Sequence, residues 1–227
     1  QVFPCALRRW RKHPFKARRS GEWATFKSAV QASKYDAVID AQGLIKSAFV
    51  TRLGRGPSFG LDKHSAREGL SARVLDHPLA VAKGQHAIDR VRQLFALALG
   101  YTLPGSAPDY GLPRSHVPTS LNRPAQLVFC HGTTWPTKHY PEAFWRQLVE
   151  LASAEGHSVF LPWGNPMEKD RATRLADGLS GAHVLPQMGL NALTDKLLGW
   201  DAFIAVDTGL AHLAAAAGLP GGALYGP

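Results

Sequence analysis

Cysteine and methionine are nearly missing, with two of each in 227 residues. Cys5 and Cys130 lie far apart and form no metal or redox pattern, which excludes a disulfide scaffold and makes a reducing compartment the simplest setting. No apolar run reaches the roughly 18 residues that a membrane-spanning helix needs, and no secretory leader pattern is present. The Gly-x-Gly-x-x-Gly dinucleotide fingerprint, the Walker spacing Gly-x-x-x-x-Gly-Lys and any Ser–His–acid arrangement are also absent. Acid is missing from one stretch in particular. Residues 1–20 carry Arg8, Arg9, Arg11, Lys12, Lys16, Arg18 and Arg19 without an Asp or Glu, and they hold most of the net charge of +9.

What remains is a folded globular composition, 45% hydrophobic and 19% charged, with Gly and Pro spread throughout. The basic start suits phosphates, whether in nucleic acid, anionic lipid or a phosphorylated glycan. Trp10 and Phe15 interleave with the cations as at a membrane interface or a nucleic-acid surface. A solvated helix face has the same composition, and charge alone does not decide between them. The chain starts at Gln1, has its first methionine at Met167 and ends just after the strand-like run Ala223-Leu224-Tyr225. It reads as a piece of a longer protein.

Hydrophobic periodicity predicts a helix over 22–32, a strand over 35–40, a turn at Ala41-Gln42-Gly43 and a helix over 44–53. That unit sets Asp40, Gln42 and Lys46 at a strand's carboxyl edge, the usual place for ligand contacts. Residues 54–69 read as an irregular Gly-rich loop whose cations suit either an anionic ligand or the open surface. Residues 86–99 predict an amphipathic helix ended by Gly100. Residues 102–125 are rich in Pro and Gly and read as a linker, dividing the chain into domains 1–115 and 116–227. Beyond it, strands over 126–130, 158–161, 182–185, 203–206 and 223–225 alternate with helices over 141–154, 166–179, 191–198 and 208–217. Such alternation predicts an α/β fold with a parallel sheet covered on both faces.

Several strand ends of the second half converge in such a sheet. After Cys130 come Thr133, Thr134 and Lys138, two hydroxyls and an amine ahead of a helix, able to hold a diphosphate. Past Leu161 stands Glu168, which can accept from ribose hydroxyls or serve as a first-turn acid favoured by the helix dipole. Past Leu185 stands Met188, which can flank a base or simply pack. The apolar run Phe203-Ile204-Ala205-Val206 breaks at Asp207-Thr208-Gly209 before an Ala-rich helix. Asp207 or Thr208 can cap that helix, Gly209 lets a group approach the backbone, and the free N–H groups suit a phosphate. His212 falls one turn further and can point at the same spot. An ordinary capped helix with a satisfied histidine gives the same pattern.

Several runs then resemble the ADP-heptose glycosyltransferase family over nearly the whole chain. They are Val38-Ile39-Asp40-Ala41-Gln42-Gly43-Leu44-Ile45-Lys46-Ser47-Ala48, Ser65-Ala66-Arg67-Glu68, the Thr133-Thr134…Lys138-His139 loop, and Leu161-Pro162-Trp163-Gly164. The last is Val206-Asp207-Thr208-Gly209-Leu210-Ala211-His212, followed by Tyr225-Gly226-Pro227. The first two look like the branch that acts first in the pathway rather than its paralogue. The resemblance implies an α/β fold of GT-B type, two Rossmann-like doubly wound parallel-sheet domains facing a cleft. It implies inverting transfer of L-glycero-D-manno-heptose from ADP-heptose to the Kdo sugar of Kdo-lipid A. No metal and no cofactor are implied, because ADP-heptose is a substrate.

By the same resemblance Lys138 and Asp207 carry the catalytic roles, Lys138 offsetting the charge that grows on the departing ADP. Thr133, Thr134 and Lys138 hold the diphosphate, Glu168 meets the ribose and Met188 the adenine edge. Thr208 and Gly209 give backbone contacts to phosphate, and Asp207 and His212 sit at the donor phosphates and heptose. An Asp beside a diphosphate is electrostatically awkward, so Asp207 is expected to bind sugar hydroxyls or cap the turn. Lys46, Arg52, Lys63 and Arg67 face the acceptor's carboxylates and phosphates. The implied setting is the cytoplasm, peripheral to the anionic surface of the inner membrane, with no nucleic acid partner.

The family's expected base, an Asp in a Ser-Leu-Gly-Asp motif, has no match among these residues, and neither do the first strand of the first domain and the end of the second. Alone, this chain is expected to bind ADP weakly at best and to transfer poorly. Two other readings share the residues. One is the paralogue or another nucleotide-sugar enzyme of the same fold, which would differ in acceptor. The other is a non-catalytic, basic nucleic-acid-binding module, against which stand the confinement of the charge to the start and the lack of a nucleic-acid motif.

Overall fold

The computed structural model describes residues 2–112 and 123–226. The chain divides into two compact units, Gln1–Pro108 and Asp109–Pro227. The boundary expected at 115/116 lies outside the described residues. Among the described residues no helix is long and apolar enough to cross a membrane.

The first unit opens with three helices, α1 (Leu7–Lys12), α2 (Pro14–Arg19) and α3 (Glu22–Gln31). They form because Trp10 has somewhere to go. Its ring packs edge-on to Trp23 at 5.5 Å and tilted against Phe26 at 5.5 Å, and its Nε1 donates to Glu22 Oε2 at 2.8 Å. Arg9 pairs with the same carboxylate at 2.5 Å. Trp10 is therefore core rather than an interfacial aromatic, which corrects the expectation drawn from its neighbours in sequence. Phe15, by contrast, is 88% exposed.

The helices lead into β1 (Val38–Asp40), α4 (Ile45–Thr51), β2 (Ser58–Leu61), a 3-10 turn at Gly69–Val74, β3 (His77–Leu79) and α5 (Ala87–Leu99). The strands are parallel in the order β1-β2-β3. β2 occupies part of the stretch expected to be a loop. A Cβ on Gly60 would stand 2.5 Å from Leu75 Cδ1, so the glycine is what lets this strand lie in the middle of the sheet. α5 starts where His86 Nδ1 accepts from Ile88 N at 3.3 Å and ends at Gly100, whose φ of 70° is left-handed.

The second unit alternates as expected. Its elements are β4 (Gln126–Cys130), α6 (Glu142–Ala154), β5 (Ser158–Leu161), α7 (Pro166–Ala176), β6 (Ala182–Val184), α8 (Leu190–Leu197), β7 (Ala202–Val206), α9 (Gly209–Ala216) and β8 (Gly221–Leu224). All five strands are parallel, in the order β6-β5-β4-β7-β8. Alternate residues sort to opposite faces. Val128, Cys130, Phe203 and Ala205 join Leu193, Leu197, Ala211 and Ala214 of α8 and α9. Phe129, Val159, Leu161 and Val206 join Trp145, Val149, Ala172 and Leu175 of α6 and α7. The central strands β4 and β7 are thus apolar on both sides, as a doubly covered parallel sheet requires.

At the foot of the sheet Asp201, 6% exposed, fixes the start of β4. Arg123 Nη1 and Nη2 donate to its two oxygens at 2.9 and 2.8 Å, and Gln126 N donates to Oδ2 at 2.7 Å. Asp201→Ala strands both donors and is expected to lower the unfolding free energy by about 3 kcal/mol in a urea titration. A loss under about 1 kcal/mol would mean that the half-exposed guanidinium makes this an ordinary surface pair.

Candidate functional site

The second sheet has one place where its winding reverses. From β4 the chain steps outward through β5 to β6, then returns to lay β7 on the other side of β4. Helices α6 and α7 therefore cover one face and α8 and α9 the other. In sheets of this kind such a reversal sets a crevice above the carboxyl ends of the strands on either side, here β4 and β7, as the usual ligand position. The register pairs Cys130 with Ala205, so the loops after the two strands leave side by side.

Four expected residues meet there. Thr133 Oγ1 donates to the Asp207 carbonyl at 3.1 Å. Lys138, in the 3-10 turn Pro136–Lys138, donates from Nζ to Asp207 Oδ2. His212 Nε2 stands 3.9 Å from Asp207 Oδ1. Thr134 is exposed in the same loop. Thr208 occupies the N-cap of α9 in an extended conformation but makes no side-chain cap bond, and Asp207 turns to Lys138. Ala211 N donates to the Thr208 carbonyl at 3.1 Å, and the two N–H groups before it, Gly209 and Leu210, at the positive end of the dipole, are left for another acceptor. A Cβ on Gly209 would meet nothing within 4 Å, so the ground before this helix end is open.

Glu168 arrives from the neighbouring strand end. Its N–H donates to Asn165 Oδ1, the N-cap of α7, at 3.0 Å, and its Oε2 accepts from Gly164 N at 2.7 Å. A Cβ on Gly132 would lie 2.8 Å from its carboxyl carbon, so the carboxylate rests against the first glycine of the β4 loop. It closes a turn and reaches the crevice as well. Met188 packs, partly buried, against the cluster of Val128, Cys130 and Leu185, the packing alternative left open above.

Burial sets the charge states under this loop. His131 is fully buried and neither ring nitrogen has a hydrogen-bond partner. Burial first, and then the Arg171 guanidinium, push its pKa down to about 4, with the Glu142 carboxylate the main opposing charge. The same two causes lower His139. Burial pushes the Cys130 thiol up to about 12. Among the described residues no group of three or more His, Cys, Asp or Glu could hold a metal ion.

The acceptor candidates fall on the first unit and divide. Lys46 lies on the wall of a cavity of about 940 Å3 together with Arg8, Arg11, Gln42 and Phe49. Asp40, 3% exposed, braces its own turn, accepting from Gln42 N and Ser47 Oγ at 2.9 Å each, and borders the same cavity. Arg52 is tied to Asp76 at 2.6 Å. Lys63 and Arg67 are exposed. Sequence reasoning took Arg8 and Arg11 only as bulk charge, although their spacing of three on one short helix already put them on one side. It missed Arg171 altogether. Arg171 donates from Nη1 to the His131 carbonyl at 3.3 Å and lies 2.8 Å from His139 Nδ1.

A helix N-terminus and an ion-paired lysine thus stand together at the switch point of a parallel sheet, the usual ligand position of a doubly wound α/β protein. The profile of Glycosyltransferase family 9 (heptosyltransferase) matches residues 23–227. Lipopolysaccharide heptosyltransferase 1 of Pseudomonas aeruginosa is 52% identical across 100% of this chain and 64% of that protein. Its counterpart in Escherichia coli K12 is 45% identical across 100% of this chain and 72% of that one. The structure of E. coli heptosyltransferase WaaC with ADP-2-deoxy-2-fluoro heptose aligns with a TM-score of 0.90 at 44% identity, covering 100% of this chain and 73% of that one. The chain belongs to glycosyltransferase family 9, the heptosyltransferases. It spans about two thirds of the length of the curated relatives it matches.

Since neutral His131 is favoured only in the folded state, its contribution is complete above pH 6.5 and is lost as the pH falls toward 4. The loss is about 3 kcal/mol at about 1.4 kcal/mol per pKa unit. Urea titrations at stepped pH should show His131→Phe with a flatter acid limb than the wild type; parallel limbs would remove His131 as the cause.

Proposed function

We propose that the second unit binds ADP-heptose and that the protein transfers L-glycero-D-manno-heptose, with inversion, to the Kdo sugar of Kdo-lipid A. The observation that carries this reading is the convergence of Thr133, Lys138, Asp207 and His212 at the sheet's switch point. The identity of 52% and 45% to heptosyltransferase 1 proteins favours it over the paralogous acceptor specificity.

Chemically, the α9 N-terminus and the Thr133 and Thr134 hydroxyls receive the diphosphate. Lys138 balances the negative charge that grows on ADP as the glycosidic bond breaks. Its contact with Asp207 answers the objection to an acid beside phosphate. The carboxylate is already neutralised by one ammonium, with an imidazole at 3.9 Å, and is free to orient heptose hydroxyls. Glu168 accepts from the ribose and Met188 borders the adenine. Lys46, Lys63 and Arg67 meet the acceptor's carboxylates and phosphates. The basic helices α1 and α2, with Phe15 outward, meet an anionic membrane surface from the cytoplasmic side.

Calorimetric titration of this chain should give ADP binding with no comparable signal from GDP or UDP. Equal binding of all three would sink the donor assignment. Lys138→Ala is expected to lower heptose transfer from ADP-heptose to Kdo-lipid A about a hundredfold or more. Unchanged turnover would remove Lys138 from this role. Gly209→Ala should leave the melting temperature unchanged or slightly raised, since the helix gains propensity and the space is open. It should weaken ADP, and full affinity would show that the diphosphate does not approach this backbone.

A further inference from the structure

The loop that carries Thr133, Thr134 and Lys138 has two ends, and one side chain touches both. Arg171 lies in the middle of α7 and is about a quarter exposed. Its Nη1 donates to the carbonyl of His131, the first residue after β4, at 3.3 Å. The same nitrogen lies 2.8 Å from Nδ1 of His139, the last residue before the turn into α6. Its Nε is 3.7 Å from Glu142 Oε2 in the first turn of α6, and Arg174 holds that carboxylate at 2.7 and 2.9 Å. The guanidinium is thus fixed on one side by an acid and closes the loop on the other.

We propose that Arg171 is the positioning residue of the diphosphate loop, joining its two ends from α7 so that Thr133, Thr134 and Lys138 present their donors in one geometry. This rests on the donor-site reading given above and adds to it a residue that does not touch the donor. The planar guanidinium is suited to the task, because its Nε side faces Glu142 while Nη1 turns its two protons to the carbonyl and the ring nitrogen, whereas an ammonium is a point charge without such fixed directions. The contact also fixes the tautomer of His139. A guanidinium only donates, so Nδ1 accepts and the ring is neutral with its proton on Nε2. His139 is faced by Arg171 and Glu168 from α7 and by His131 at the loop's other end. Burial and the guanidinium both favour its neutral form. Protonation of Nδ1 would turn the acceptor into a donor and free one end of the loop.

The test compares ADP with AMP, which lacks the phosphate that Lys138 meets, by calorimetry on this chain. Wild type should prefer ADP. Arg171→Met and Arg171→Lys should each reduce that preference roughly tenfold, the worth of one charged hydrogen bond, with AMP affinity held within about twofold. The lysine variant keeps the charge, so its failure to rescue isolates the bridging geometry. It also keeps the test open should the methionine variant unfold. From pH 7 to 5 the wild-type preference for ADP should fall more steeply than that of either variant. An unchanged preference in both variants, or equal loss of ADP and AMP, would overturn the proposal. Wild type that binds no ADP would overturn the donor-site reading, and this inference with it.

Discussion

The site depends on a constraint of the backbone before it depends on any side chain. Parallel pairing of β4 with β7, in a sheet whose winding reverses between them, forces two loops to leave side by side without a helix between them. Every polar feature of the crevice hangs on that gap. Thr133 spans it to a backbone carbonyl, and Lys138 spans it to a carboxylate. The same reversal divides the hydrophobic core into two clusters on opposite faces, so packing that stabilises the sheet also sets the position of the loops.

Two strand ends in this chain carry an Asp ahead of a Gly-containing turn and a helix, and their fates differ. Asp40 is buried and spends both oxygens on its own turn, at Gln42 N and Ser47 Oγ. Asp207 is a quarter exposed and shares its charge with Lys138 and, more distantly, His212. The first is an architectural acid. The second keeps its turn open, because α9 receives no side-chain cap. The contrast comes from the neighbouring loop. A serine one turn into α4 satisfies Asp40 locally, whereas Asp207 finds its partner 69 positions away in sequence.

The second unit was largely legible because its strands are short apolar runs bounded by turn residues, and each helix carries its own start or stop signal. Pro166 at the first turn of α7 and Gly156 beyond α6 are of this kind. What escaped reading depended on long-range fit. β2 contains Gly60 and follows Pro57, so its local signal is that of a loop; Leu75 Cδ1 fills the space that a side chain at Gly60 would take. β3 contains Pro78, which marks a break in sequence and is harmless at the end of the described sheet. β8 begins on Gly221, where a Cβ would stand 2.1 Å from the Phe203 carbonyl oxygen. The loop of Thr133, Thr134 and Lys138 was readable as a cluster of hydroxyls and an amine. Arg171 was not, because a cation in a polar helix looks the same whether it faces water or fastens a loop.

The two free cysteines differ in a way that can be used. Cys130 is sealed in the core with its thiol raised to about 12, so almost none of it is thiolate at neutral pH. Cys5 is exposed and borders the cavity that also holds Lys46. A maleimide dye or spin label would therefore attach at a single position without any engineered cysteine. These 227 residues carry their own reporter for whatever enters the first unit's cavity, and the loops after β4 and β7 are left chemically untouched.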